Sequence, residues 1–274
     1  MKKNNFYFAS SFSDVTMYLK TIPNIKIFSG GTSKSWRDEE TNKFIFPNST
    51  LCISHVPEFK TIERNERYID LGSCITLSEI ENIGEKRLPL TLYNAIESIS
   101  NPFVKNLATI GGNICNENST LLASLIALDA KLELHSVNES KQIYVKKISS
   151  IPNGFILTKI KIPYGNWDKS FFIRIGPERK ITKDSYSFVF LANTEKGILN
   201  NVSIVFAGEN IIQLNDFEND LIGSKLPLSK KIVDEKIENA KHSLYELIKE
   251  KNIIFSDILK KQYINLLKYS MLHL

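Results

Sequence analysis

A chain of 274 residues is long for one ordinary domain and about right for two. With 42% hydrophobic and 24% charged residues it has the makeup of a globular protein with a sizeable core, which excludes long disordered spans. The net charge of +5 includes the scattered pairs Lys146-Lys147, Lys230-Lys231 and Lys260-Lys261, a pattern of solvated faces and not of a nucleic-acid track.

In chain order, Ser11 to Lys20 reads as a short helix capped by Ser13, with Asp14 in its first turn and Val15, Tyr18 and Leu19 on its apolar face. Pro23-Asn24 ends it. Ile25-Lys26-Ile27-Phe28 is then a buried strand that delivers Ser29-Gly30-Gly31-Thr32-Ser33. A polar excursion from Trp36 to Asn48 precedes strands near Leu51–Ser54 and Tyr68–Leu71. Thr76-Leu77-Ser78-Glu79 is a capping box opening a brief helix, and Leu90 to Ser98 supports a longer one. Asn101-Pro102 stops that helix, because proline disfavours α geometry in the residue before it. A second glycine pair follows in Thr109-Ile110-Gly111-Gly112-Asn113, then a helix over Leu121–Asp129, a strand over Lys131–Leu134 and an alternating strand over Phe155–Ile162.

A boundary is expected near Pro163-Tyr164-Gly165-Asn166, giving domains 1–165 and 166–274. Beyond it come strands at Ser170–Ile175, Ser185–Asn193 and Val202–Ala207, then helices at about Lys230–Glu250 and Ser256–Leu272. Strands followed by helices indicate an α+β domain with a largely antiparallel sheet.

The two glycine pairs are the chemical signal. Glycine lacks Cβ and tolerates positive φ, so a Gly-Gly step lets consecutive amides converge on a phosphate oxygen, with Thr32, Ser33, Thr109 and Asn113 as further donors. Two such loops side by side would grip both groups of a pyrophosphate. Either pair alone is also what a plain turn needs. Neither is the G-x-G-x-x-G fingerprint or the lysine-ended phosphate loop, so a Rossmann site is disfavoured. Cys52, Cys74 and Cys115 form no C-x-x-C pair, and the four histidines show no metal spacing, so no metal or cluster site is expected in this chain. No apolar stretch reaches membrane-spanning length and the N-terminus has no apolar leader, which implies a cytoplasmic, reducing setting.

With these residues in place, the chain resembles the FAD-binding medium subunit of molybdenum hydroxylases, the xanthine dehydrogenase and carbon monoxide dehydrogenase flavoprotein family. The resemblance rests on Ser29-Gly30-Gly31-Thr32-Ser33 after its strand. It rests as well on Ser100-Asn101-Pro102-Phe103-Val104-Lys105-Asn106 leading into Thr109-Ile110-Gly111-Gly112-Asn113, on Ala127-Leu128-Asp129-Ala130, and on Phe172-Ile173-Arg174-Ile175-Gly176-Pro177-Glu178-Arg179-Lys180. It runs through nearly the whole chain in the same order, as far as the late helix around Tyr263.

The resemblance implies an α+β chain: a two-subdomain FAD-binding fold of the vanillyl-alcohol oxidase (PCMH) type in 1–165, then a C-terminal antiparallel sheet with helices. It implies that Gly30, Gly31, Thr32, Ser33, Gly111, Gly112 and Asn113 bind the pyrophosphate, that Ile27, Phe28 and Ser29 are also cofactor-binding, and that Thr109 and Asn116 lie beside the cofactor. Ile99 and Ala108 would line the adenine and ribose side, Leu157 would lie near the flavin, and Arg174 would reach the isoalloxazine region, where a cation stabilises anionic reduced flavin. Two departures stand out. Family members often have Asp where Ser33 stands, and place Asp and Pro after the second loop, where Asn116-Glu117-Asn118-Ser119-Thr120 is shorter and has neither; Glu117 or Ser119 would replace the carboxylate that holds the ribose.

By the same resemblance the chain carries no catalytic residues or metal ligands of its own. It would be the electron-exit station of a heterotrimer. Substrate would be hydroxylated on a molybdopterin-containing large subunit, electrons would pass through a 2Fe-2S small subunit, and FAD would hand them to NAD+ or another acceptor. The alternatives are a free-standing flavin oxidoreductase, against which the absence of a large substrate cap counts, and a scaffold that has lost FAD.

Overall fold

The computed structural model describes residues 4–33, 36–38, 40, 41, 43–99, 101–116, 118–148, 150–165, 167–177, 181, 182 and 184–274. Its elements begin with β1 (Asn5–Phe8), α1 (Phe12–Thr21), β2 (Lys26–Phe28), β3 (Ser49–Cys52), β4 (Ile62–Arg64), β5 (Tyr68–Gly72) and α2 (Leu77–Glu81). Next are α3 (Leu90–Glu97), α4 (Pro102–Leu107), α5 (Ile110–Ile114), α6 (Leu122–Ala127), β6 (Lys131–His135), β7 (Ser140–Tyr144) and β8 (Ile156–Pro163). The chain closes with β9 (Lys169–Ile175), β10 (Tyr186–Glu195), β11 (Ile198–Ala207), β12 (Ile211–Ile212), α7 (Asn215–Leu221), α8 (Lys230–Glu250) and α9 (Asp257–Leu272).

Two compact units share these elements. The first comprises Met1–Pro89, Ile99–Ser119 and Asp129–Tyr164; the second comprises Leu90–Ser98, Thr120–Leu128 and Gly165–Leu274. Within the first unit, β1, β3 and β2 form a parallel sheet in that order, with Ile27 opposite Leu51 and Phe28 opposite Cys52. Val15 of α1 is fully buried in a core with Leu51, Val56 and Phe59. The cap of α1 is Ser11 and not Ser13: Ser11 Oγ accepts the Asp14 amide, and the Asp14 carboxylate accepts the Ser11 amide in return.

The other sheet of the first unit is antiparallel, in the order β4-β5-β8-β6-β7. Period-2 alternation places Ile156, Ile160 and Ile162 of β8 in the core while Lys159 and Lys161 pair with Glu63 and Asp70 at 3.2 and 3.7 Å. Thr76 and Glu79 form the capping box of α2 that their spacing predicts. Asn101-Pro102, expected as a helix stop, starts one: α3 already ends at Glu97. Asn101 Oδ1 accepts the amides of Phe103 and Val104, and Pro102 sits in the first turn of α4, where its missing N–H costs nothing.

The second unit is built on the antiparallel sheet β12-β11-β10-β9, as expected for the C-terminal part. Its core joins Phe188, Phe190 and Phe206 of the sheet to Val233, Ile237 and Leu244 of α8 and Leu259, Tyr263 and Leu267 of α9. The Tyr263 ring lies 5.4 Å from that of Phe206. Ser187 Oγ of β10 donates to the Thr120 carbonyl at 3.2 Å, tying the segment that leads into α6 to this sheet.

Candidate cofactor site

The first glycine loop is held from below. The Ile53 amide donates to the Phe28 carbonyl at 3.0 Å, the Ser54 hydroxyl to the Ser29 carbonyl at 3.1 Å, and the Ser29 hydroxyl contacts the Cys74 thiol at 3.5 Å. The chain then turns at Gly31, whose φ of +64° places it in the left-handed region and whose Cβ would lie 2.5 Å from the Phe28 ring. A Cβ on Gly30 would overlap the Leu107 carbonyl oxygen, so glycine is the price of seating this loop directly against the approach to the second. Among the described residues, the amides of Gly30, Gly31 and Thr32 have no acceptor.

The second loop behaves differently from expectation, because its amides are already used. Ile110 donates to the Ile75 carbonyl, Gly111 to the Ser73 carbonyl and Asn113 to the Thr109 carbonyl, each at 2.9 Å. Gly112 donates to Thr109 Oγ1 at 3.2 Å, which makes Thr109 the N-cap of α5. The Ser73 amide in turn donates to the Thr158 carbonyl at 2.9 Å, so the loop is hung from β8 beside Leu157. Gly111 is required by packing: its Cβ would lie 2.7 Å from the Ser73 carbonyl oxygen. Gly112 is not. It is exposed, and its Cβ would meet only Thr109 Oγ1, at 3.0 Å.

Side chains supply what these amides do not. Asn113 Oδ1 accepts from Ser119 Oγ at 2.6 Å, which leaves its Nδ2 donor without a partner among the described residues. Ser33 Oγ donates to Asn116 Oδ1 at 3.2 Å and joins the two loops covalently distant in sequence. Free amides, an uncrowded glycine and the Asn113 Nδ2 donor are groups of the kind that hold a phosphate-bearing ligand.

The description "FAD binding domain in molybdopterin dehydrogenase" matches residues 2–165. The chain belongs to this family. FAD is therefore its cofactor. It is 30% identical over 128 residues to indole-3-acetaldehyde oxidase of Arabidopsis thaliana, a match covering 43% of this chain and 9% of the relative. It is 30% identical over 137 residues to the xanthine dehydrogenase FAD-binding subunit of Escherichia coli O157:H7, covering 48% of this chain and 46% of the relative. The matched stretch thus spans less than half the length of either relative. A chain of the cyanide-inactivated Cu,Mo-CO dehydrogenase has the same fold, with a TM-score of 0.78, 16% identity, and coverage of 99% of this chain and 96% of that one.

The residues present fit the pyrophosphate of FAD. Ile27 to Ser33 and Ala108 to Asn116 lie together in the first unit, with Ala108 buried and Ile99 half-buried at the start of the same segment. Leu157, on β8, is buried opposite Leu134. Arg174 lies in the second unit, on β9 opposite Ser187. Ser119, expected as a stand-in for the ribose carboxylate, is buried and committed to Asn113. Glu117, Ser100 and Glu178-Arg179-Lys180 lie outside the described residues. Among the described residues no cluster of His, Cys, Asp or Glu could hold a metal, and no helix is long and apolar enough to cross a membrane. Cys115 is exposed, yet desolvation by the protein around its thiol pushes its pKa up to about 11.

Sequence reasoning missed Ser73 and Leu107. Both act through backbone carbonyls, one accepting from Gly111 and the other leaving no room for a Cβ on Gly30, and a carbonyl is common to every residue type. Only the spacing of the glycines themselves carries a trace of them.

Proposed function

We propose that this chain is the FAD-carrying electron-transfer subunit of a molybdenum-containing hydroxylase of the xanthine dehydrogenase kind. Its partners are a molybdopterin-containing large subunit and a 2Fe-2S small subunit, and its electron acceptor is NAD+ or another two-electron carrier. The observation that supports it most is the seating of Gly30 against Leu107, which sets three unpaired amides beside the capped turn at Thr109. FAD supplies one chemical ability, that of taking electrons singly and releasing them in pairs.

The chain's own residues bind and orient. The amides of Gly30, Gly31 and Thr32 would hold one phosphate, and the Thr109 hydroxyl and Asn113 Nδ2 the other. Gly112 would let the ligand approach the backbone. Ile99 and Ala108 would border the adenine and ribose, Leu157 would border the flavin, and Arg174 would stabilise negative charge there by Coulomb attraction. In the division proposed, 1–165 carries the cofactor and 166–274 forms the C-terminal domain.

Co-expression with the neighbouring genes tests this reading. The complex is expected to show flavin absorbance and to bleach it when substrate is added under anaerobic conditions. Flavin bands that stay unchanged while a proven substrate is consumed would overturn the electron-exit role, and turnover of a small substrate by the isolated chain would replace it with a free-standing oxidoreductase.

A further inference from the structure

We infer that Ser119 is a positioning residue whose task is to fix which end of the Asn113 carboxamide faces the cofactor. This rests on the reading of the loops as an FAD site, and adds to it a residue that does not itself touch the ligand.

A carboxamide has an acceptor end and a donor end of nearly equal size, and a free asparagine samples both orientations. Beside a pyrophosphate the two are opposite in effect: Nδ2 donates to an anionic oxygen, while Oδ1 repels it. Ser119 removes the choice. Its hydroxyl is 2.6 Å from Asn113 Oδ1, a separation usual for O–H···O and short for N–H···O, so the serine donates and the asparagine accepts. Ser119 is 2% exposed, so packing holds its hydroxyl in place. Asn113 is itself anchored through its backbone, its amide donating to the Thr109 carbonyl and its carbonyl accepting from the Asn116 amide at 3.1 Å. With main chain and Oδ1 both fixed, Nδ2 is left as the unengaged end, without a partner among the described residues.

A double-mutant cycle on the full-length chain reads this directly, with FAD affinity measured by quenching of flavin fluorescence and folding by thermal midpoint. Ser119→Ala is expected to weaken FAD binding about tenfold, the size of one hydrogen bond to a charged group. Its midpoint should stay near that of the parent, because Asn113 is partly exposed and its Oδ1 can take a water. In an Asn113→Ala background, Ser119→Ala should have no further effect on affinity. Equal FAD affinity for Ser119→Ala and the parent would overturn the inference, as would the same loss in both backgrounds, which marks a merely structural serine. A parent chain that binds no FAD at all would instead overturn the cofactor site on which the inference rests.

Discussion

Gly112→Ala separates a glycine kept for the ligand from glycines kept for the fold. An added methyl at Gly112 would meet only Thr109 Oγ1, at 3.0 Å, so the threonine must shift by a few tenths of an ångström. Replacing Gly by Ala in a helix gains about 0.5–1 kcal/mol from the lower backbone entropy of the unfolded chain, which offsets that strain. The apo protein should therefore keep its stability to within about 1 kcal/mol. The bound state is another matter: the methyl occupies the space through which a phosphate would reach the turn. Losing one charge-assisted contact costs about 1.5–3 kcal/mol, which is roughly 10–150-fold in Kd. Gly111→Ala supplies the contrast, since its Cβ would lie 2.7 Å from the Ser73 carbonyl and 2.8 Å from Ser73 Cβ. Backbone overpacking of that kind costs about 1–3 kcal/mol of stability before any ligand is considered. Titration of FAD into both variants, alongside their thermal midpoints, gives the answer. Parental FAD affinity in Gly112→Ala would refute the assignment of this turn to the cofactor.

Four further outcomes are expected. Ser33→Ala removes the donor to Asn116 Oδ1 and should weaken FAD binding by a few-fold, roughly the worth of one neutral hydrogen bond, in the same titration. Lys105 bonds Glu81 at 2.6 Å with side chains only 11% and 24% exposed, so Lys105→Ala strands a half-buried carboxylate and should cost about 1–3 kcal/mol in urea unfolding, less than breaking a fully buried pair. The capping boxes set an acid limb. Hydrogen bonds from Ser10 and Ser11 lower the pKa of Asp14, and those from Thr76 outweigh desolvation to lower that of Glu79. A depressed carboxylate stabilises the fold above its unfolded value and loses that contribution as pH falls through the folded value, so the stabilisation fades below pH 3.8 for Asp14 and 4.5 for Glu79. Asp14→Asn and Glu79→Gln should therefore flatten the midpoint-versus-pH curve in that range and leave its shape at neutral pH unchanged. Finally, Cys115→Ser should retain flavin content, since among the described residues no group of His, Cys, Asp or Glu gathers that could hold a metal; loss of an iron-sulfur signal would contradict this.

Much of the fold was legible because local chemistry and tertiary packing agreed. Thr76 and Glu79 cap where their spacing says, α8 runs over Lys230–Glu250 as its periodicity requires, and the alternation of β8 matches its two faces. The failures have local causes. Ser11 and Ser13 are both good caps, and only the reciprocal bond with Asp14 chooses between them. Asn101-Pro102 reads as a stop, but the dipeptide is a helix start, and the six residues of α4 are too few to show a 3.6-residue period. β4 and β7 sit at the two edges of their sheet, most of their residues polar, so neither presents an apolar run. In the site, residue types and order pointed to the loops, while the carbonyls of Ser73 and Leu107 that decide their geometry leave no mark in the sequence.

The two loops divide the work in a way the glycine pairs alone do not reveal. Each pair looks equally able to offer amides, yet α5 spends all of its own on Ser73, Ile75 and Thr109 and becomes a fixed wall, while Gly30, Gly31 and Thr32 stay open. A wall that has no free amides must contribute through side chains, and that places weight on how those side chains are aimed. The same requirement accounts for the segment after Asn113. At 2.6 Å Ser119 gives its one hydroxyl proton to the Asn113 carboxamide, so toward a ribose it would act only as an acceptor. Among the described residues of this segment, Asn118 Oδ1 is a further acceptor, buried and without a hydrogen-bond partner. An amide oxygen accepts a hydroxyl proton as a carboxylate does, but without the charge, so a ribose held here would be gripped more weakly than by aspartate while its acceptor no longer repels the neighbouring pyrophosphate.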